Sequence, residues 1–356
     1  MTSESVLTSN TPLAGLTLDV LEVLVATLGE PRYRAAQIFH AVQREGRTDA
    51  AAITTLPKAL RERLAAESGP SATRVVETQS SSDGTKKFLL ALHDGKRVET
   101  VLIPEGRRRT VCVSTQVGCP IRCLFCASGI DGLIRNLETA EIVEQLLHVA
   151  GDLGERPTNI VLMGMGEPLL NYDAVVRAIR LWTHPSGLNF SPRRITVSAA
   201  GSPAPIDRLA EEELGVSLAV SLHAADDETR TTLVPGSPAR RTRALIDAAT
   251  RYATRTGRDA TIEYVLIHDH NDQRDQAERL AAAVRGRHLH VNLIPLNPVP
   301  HQPQLRAPPH RVSTAFASLL QKRGVSVTLR TQRGEDIAAA CGQLALERAL
   351  AEPAQS

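Results

Sequence analysis

GCPIRCLFCASG, residues 118–129, sets Cys119, Cys123 and Cys126 at offsets of four and three. Thiols this close in sequence form a metal or redox site. A structural zinc normally takes four donors, so the triad needs a fourth, with His148 and Cys112 as candidates. A [4Fe-4S] cluster is also usually held by four thiolates, and one held by three keeps an iron open to another ligand. Spacing alone leaves both readings open. The chain has five cysteines, an odd number, and three lie within eight residues. That pattern suits a metal or redox site in a reducing compartment better than a disulfide framework.

Around this stretch the chain reads in blocks. Leu16 to Ala66 carries helical spacing, with Leu21, Leu24, Val25 and Leu28 in one run and Ala35, Ile38, Phe39 and Val42 in the next. Thr73 to Pro104 changes to extended runs broken at Asp83-Gly84 and Asp94-Gly95, two hairpin signals that predict a three-stranded meander. From about Thr110 short apolar strands alternate with helices. The expected strands are Val111–Ser114, Asn159–Met163, Arg194–Ser198, Ser217–Leu222, Thr261–Leu266, His290–Ile294 and Ser326–Arg330.

Six or seven parallel strands in βα rhythm predict an α/β fold, a full or partial (β/α) barrel, with its chemistry at the C-terminal strand ends. The unusual residues fall at those ends. The cysteines follow the first strand, GMGEP the second, Ser198 ends the third, Ser221 to His223 the fourth, Asn297 follows the sixth and Cys341 the last. The domain reading is a disordered tail over 1–12, a helical accessory domain over 13–70, a meander linker over 71–104, the barrel over 105–346 and a tail over 347–356.

At 356 residues and 42% hydrophobic, the chain is long enough for one large core with a small added domain. No run approaches the roughly 20 apolar residues of a membrane span. The Ser/Thr-rich opening residues lack the pattern of an export signal, so the expected location is the cytoplasm. Net charge is only +2, which announces no nucleic-acid binder. The basic clusters Arg107 to Arg109 and Arg240, Arg241 and Arg243 read as solvated surface. With 3% aromatics and one tryptophan, Trp182, no base-stacking platform is evident.

C-x3-C-x2-C resembles the signature of radical S-adenosylmethionine (SAM) enzymes. CVSTQVGCPIRCLFCASGIDGLIRNLETAEI, GMGEPLLN, SPRRITVS, VSLHAADDETR, NLIPLNP and RGEDIAAACGQL are similar, in order, to successive motifs of the RlmN/Cfr family of RNA adenine methyltransferases. The likeness runs from about residue 16 to residue 346. VPGSPARRTRA, residues 234–244, departs from a family segment that often reads Asn-Lys-Lys, and Leu296 stands where many members have a bulkier residue.

The resemblance implies a partial radical SAM barrel and a residue-by-residue set of roles. Cys119, Cys123 and Cys126 match the [4Fe-4S] ligands. Gly166 and Glu167 match the motif that holds the SAM amino group, and Ser198, Ser221, Leu222, His223 and Asn297 match further SAM contacts. Cys341 matches the cysteine methylated on sulfur by one SAM before a second supplies the radical, so two SAM are used per turnover. Cys112 matches the cysteine that resolves a protein–RNA crosslink through a transient disulfide with Cys341. Glu99 matches a proton acceptor.

The implied activity is methylation of C2 of an adenine in 23S rRNA at the peptidyl-transferase centre, and of the adenine beside the anticodon in some tRNAs. C8 methylation, as in Cfr-type members, is the family alternative, and a noncatalytic zinc-containing RNA-binding module is the alternative of another class. Implied partners are the two RNAs and an electron donor such as a flavodoxin-type reductant. GEPRYRAAQIF, residues 29–39, matches the RNA-binding accessory region, with Arg32 and Arg34 facing phosphates.

Overall fold

The computed structural model describes residues 11–238, 241–299, 301–330 and 333–344. Most of the tail expected over 1–12, the whole of 347–356, and Arg240 lie outside the described residues.

Three amphipathic helices build the N-terminal unit: α1 (Leu18–Thr27), α2 (Tyr33–Gln43) and α3 (Lys58–Glu67). They bury the stripes set by their spacing, Leu21, Leu24 and Val25 on α1, Ala35, Ile38, Phe39 and Val42 on α2, and Leu60 and Leu64 on α3. The unit is docked on the barrel, where the ring of Phe39 meets that of His184 edge-on at 4.7 Å. Within the unit the Gln43 amide donates to the Ala14 carbonyl at 2.9 Å.

The meander forms β1 (Thr73–Ser80), β2 (Lys86–Leu92) and β3 (Arg97–Glu105), antiparallel, with turns at Asp83-Gly84 and Asp94-Gly95. It continues into the barrel sheet, because β3 pairs antiparallel with β4 (Arg108–Cys112). β4 begins the parallel set, followed by β7 (Asn159–Leu162), β8 (Ile195–Ala199), β9 (Ser217–Ser221), β10 (Ala260–Leu266), β11 (His290–Pro295) and β12 (Ser326–Leu329). One ten-stranded sheet results, ordered β1-β2-β3-β4-β7-β8-β9-β10-β11-β12. A separate hairpin, β5 (Gln116–Gly118) with β6 (Leu133–Asn136), brackets the cysteine loop.

Six or seven parallel strands were expected and seven form among the described residues, with one correction. The first, placed at Val111–Ser114, runs instead over Arg108–Cys112. It enters straight from a tight turn with β3, pairing Arg108 with Glu105, so the ladder starts before the apolar residues do. Helices α4 (Thr139–Leu153), α5 (Tyr172–Thr183), α6 (Pro203–Glu211), α7 (Asp227–Leu233), α8 (Thr242–Thr256), α9 (Arg274–Val284) and α10 (His310–Lys322) follow strands in βα order. The core lies between these helices and the sheet, with Trp182, Tyr252 and Tyr264 wholly enclosed.

Among the described residues no ladder closes the sheet from β12 back to β1. The segment after β12, residues 333–344, crosses to the meander instead. The Gly334 amide donates to Asp83 Oδ2 at 3.0 Å, the Ser82 amide to Asp336 Oδ2 at 3.3 Å, and Lys87 Nζ to the Ala338 carbonyl at 3.4 Å. Among the described residues no helix is long and apolar enough to cross a membrane.

Candidate active site at the barrel mouth

The cysteine loop sits in an apolar nest of its own, apart from the main core. Ile121 and Phe125 from the loop pack with Ala200, Leu233, Val234, Val265, Ile267 and Ile294, and Cys119 and Cys123 lie half-buried against them. The chain after α7 comes very close: a Cβ on Gly236 would stand 2.2 Å from the Pro120 carbonyl oxygen, so only glycine fits. Burial pushes the Cys119 thiol up to about 12 and raises those of Cys123 and Cys126; Cys126 adds to the cost of ionising Cys119, and both add to that of Cys123.

A structural zinc on these three thiols would need a fourth donor. Of the two candidates, His148 lies on α4 with Nε2 against Thr73 Oγ1 at 2.8 Å, and Cys112 is buried in β4. The structure gives the zinc reading no fourth ligand from either residue.

GMGEP turns the chain at the end of β7. Gly166 has φ 102°, and a Cβ there would stand 2.6 Å from Cβ of Gln116. Gln116, itself fully enclosed, accepts the Glu167 amide at 2.8 Å. Glu167 is buried, and its Oε2 accepts the Ala200 amide at 2.9 Å. Burial raises its carboxyl to about 7, against the opposing pull of backbone donors and Arg230.

Ser198 ends β8 and donates to the Leu162 carbonyl at 2.7 Å. Ser221 ends β9, Leu222 follows it, and His223 turns the chain with φ 58° while Asn271 donates to its carbonyl at 2.8 Å. The Val265 amide donates to His223 Nδ1 at 3.2 Å, which places the ring proton on Nε2. Burial, followed by the charge of Arg230, lowers this imidazole to about 3, so it is neutral. Asn297 donates to the Cys341 carbonyl at 2.9 Å, while its own Oδ1 is buried with no hydrogen-bond partner.

Cys341 comes to this mouth on the crossing segment. Ala127 donates its amide to the Gly342 carbonyl at 2.8 Å, and Ser128 Oγ donates to the Leu344 carbonyl at 2.7 Å, which stitches the segment to the cysteine loop. Cys341 is exposed on one side and crowded on the other. Desolvation and then the charge of Cys126 push its thiol up to about 11. Burial and then Cys341 push Cys112 up to about 12. All five cysteines are free thiols.

Glu99, on a strand where an exposed carboxylate is the default, is buried and paired with Lys87 at 3.0 Å. It lies two residues along β3 from Val101, which aligns with Cys112. Arg32 pairs with Glu22 at 2.8 Å, and Arg34 donates to Gln37 at 2.8 Å and lies over the exposed ring of Tyr33.

Two charged residues at the mouth carried no role in the sequence reading. Arg230 is completely enclosed, donates to the Ser221 and Leu222 carbonyls and, at 2.8 Å, to that of Ala200, and so ties β8 to β9. It closes the motif VSLHAADDETR, but on a seven-residue helix it reads as a surface cation. Lys87, in KKFLLAL, alternates like any strand lysine. Only the tertiary fold distinguishes either one.

Two family models match this chain, the radical SAM superfamily over residues 113–281 and the ribosomal RNA large subunit methyltransferase N-terminal domain over residues 11–68. Probable dual-specificity RNA methyltransferases RlmN are similar along nearly the whole length. That of Symbiobacterium thermophilum is 45% identical, covering 94% of this chain and 91% of the relative, and that of Thermus thermophilus is 47% identical, covering 92% and 93%. A crystal structure of a radical SAM methyltransferase from Sphaerobacter thermophilus superposes with a TM-score of 0.89 at 47% identity, covering 95% of this chain and 99% of that one.

Proposed function

From the premise that this chain belongs to the RlmN family of radical SAM RNA methyltransferases, we propose that it is a cytoplasmic enzyme that methylates C2 of an adenine in 23S rRNA and in some tRNAs. The observation that carries this reading is the convergence of all five cysteines on one barrel mouth, where Cys341 is stitched to the cysteine loop through Ala127 and Ser128, lies near enough to Cys126 to be raised by it and near enough to Cys112 to raise that thiol.

Cys119, Cys123 and Cys126 hold a [4Fe-4S] cluster, and Gly166, Glu167, Ser198, Ser221, Leu222, His223 and Asn297 surround SAM. Glu167 offers buried acceptor oxygens for its ammonium group, and Asn297 Oδ1 is an acceptor awaiting a donor. Bound together, cluster and SAM supply a 5′-deoxyadenosyl radical, with electrons from a flavodoxin-type donor. The apolar nest keeps water from the reacting groups.

The remaining roles belong to the chain. Cys341, as thiolate, takes a methyl group from one SAM by displacement. The S-methyl group on Cys341 would then give up a hydrogen to the radical that a second SAM would supply, and the carbon left on the Cys341 sulfur would join the adenine. Glu99 takes the ring proton while one electron from the adduct would pass back to the redox centre, and Cys112, as thiolate, then attacks the Cys341 sulfur; the released carbon takes a proton to complete the methyl group, and a disulfide is left for cellular thiols to reduce. Adenine C2 lies on the pairing edge, so the base must be unpaired or flipped to reach Cys341. The helical unit α1 to α3, which matches the RNA methyltransferase N-terminal model, serves RNA binding.

The test is to express the gene in a bacterium lacking its own enzyme and digest its ribosomal RNA. Chromatography coupled to mass spectrometry is expected to find 2-methyladenosine. Finding 8-methyladenosine alone would overturn the regiochemistry, and finding neither would overturn the activity.

A further inference from the structure

One carboxylate inside the barrel is left without a task. Along β10, Ile262, Tyr264 and Leu266 face the main core, and Tyr264 meets Phe316 of α10 with ring centroids 5.5 Å apart. Alternation turns Glu263 and Val265 the other way, and Val265 packs with Ile121 and Phe125 of the cysteine loop. Glu263 therefore points into the barrel. It is 4% exposed, and it stands in register with Ser221 of β9 and Asn292 of β11.

Its two oxygens differ. Oε1 accepts from Asn292 Nδ2 at 2.8 Å and from Thr261 Oγ1 at 2.9 Å. Oε2 is buried and has no hydrogen-bond partner. A buried acceptor left unmade is costly, and a buried carboxylate oxygen more so, which marks a position completed by a ligand. Cys341 is near enough to feel this carboxylate, since the charge of Glu263 adds to the cost of ionising that thiol.

We propose that Glu263 Oε2 accepts a hydrogen bond from the exocyclic amino group of the substrate base, making Glu263 the residue that selects adenine at this site. This rests on the adenine methyltransferase reading above. The amino group is the one N–H donor on an adenine joined to ribose. A base with a carbonyl oxygen at that ring position sets acceptor against carboxylate and is rejected. One with hydrogen there leaves Oε2 buried and unpaired.

Glu263→Gln tests this with little change of shape. Asn292 and Thr261 hold the amide oxygen at the Oε1 position, so the amide nitrogen takes the place of Oε2 and meets the substrate amino group donor to donor. Rates are measured with two RNAs that differ only at the target base, adenosine in one and purine riboside, which lacks the amino group, in the other. Cys341 S-methylation is followed separately by mass spectrometry without RNA.

The wild-type protein is expected to favour adenosine by about tenfold or more in kcat/KM, because the analogue strands a buried acceptor. In Glu263→Gln the preference collapses through loss on adenosine alone, while purine riboside turnover and Cys341 methylation hold. An unchanged preference overturns the proposal, as does an equal loss on both RNAs, which marks a structural role. Loss of Cys341 methylation without RNA assigns Glu263 to SAM and overturns it too. If the glutamine variant fails to load iron, Glu263→Asp, which keeps the acceptor, must retain the preference, and its disappearance there overturns the proposal. Wild-type protein that methylates neither RNA removes the underlying reading, and this inference with it.

Discussion

Cys112 and Cys341 have raised thiol pKa values for the same first reason, burial, yet one is enclosed in a strand and the other opens to solvent. Their proposed roles predict opposite phenotypes. Cys112→Ala is expected to accumulate a covalent protein–RNA species on denaturing gels, and Cys341→Ala to form none. Equal, mild losses in both, with turnover intact, would reduce them to packing residues. The sequence announced a metal or redox triad through spacing, because ligands to one group on one loop are close in number as well as in space, while the cluster reading came from the resemblance. It did not announce Arg230, Lys87 or Glu263. Each is an ordinary charged residue on an ordinary helix or strand, and its significance comes from burial that only the folded chain imposes.

Elements were more legible than residues, since periodicity is written locally. The strands read from short apolar runs form within a residue or two of their expected ends, except β4, whose start was fixed by pairing with β3 rather than by its own apolar residues. Less visible was how the meander is tied down. Glu144 on α4 accepts the Ala72 amide at 2.9 Å and the Thr73 amide at 2.7 Å, with Thr73 Oγ1 at 2.9 Å, and so anchors the start of β1.

Burial raises the Glu144 carboxyl from its usual 4.5 to about 7 despite those donors. A carboxyl with a raised folded-state pKa binds its proton more tightly in the folded chain. Its contribution is thus most favourable below about 4.5 and declines as pH rises toward about 7. The stability advantage of wild type over Glu144→Gln, measured by denaturant unfolding of the iron-free protein, should shrink from pH 5 to pH 7.5. An advantage that grows across that range contradicts the burial argument.

At the scale of the molecule, the open sheet is bridged by residues 333–344 rather than by strand pairing, and the bridge hangs on Asp83. Burial acts against that carboxylate, yet hydrogen bonds from Thr85, Gly334 and Ser81 hold it at about 2. Asp83→Ala should therefore loosen the segment. In iron-free protein the expected result is alkylation of Cys341 several-fold faster than in wild type, the scale of one lost charged hydrogen bond, with Cys112 unchanged. Equal rates in wild type and variant would show that the cysteine loop alone holds the segment. Nothing in the local pattern of RGEDIAAACGQL predicts this span, because its partners lie in the meander.

That bridge joins residues 251 apart in the chain, and contacts so distant form late in folding. Synthesis has the same order. Cys119, Cys123 and Cys126 are synthesised more than two hundred residues before Cys341. Under the proposed roles, an unfinished copy would have the cluster ligands but no carrier for the methyl group.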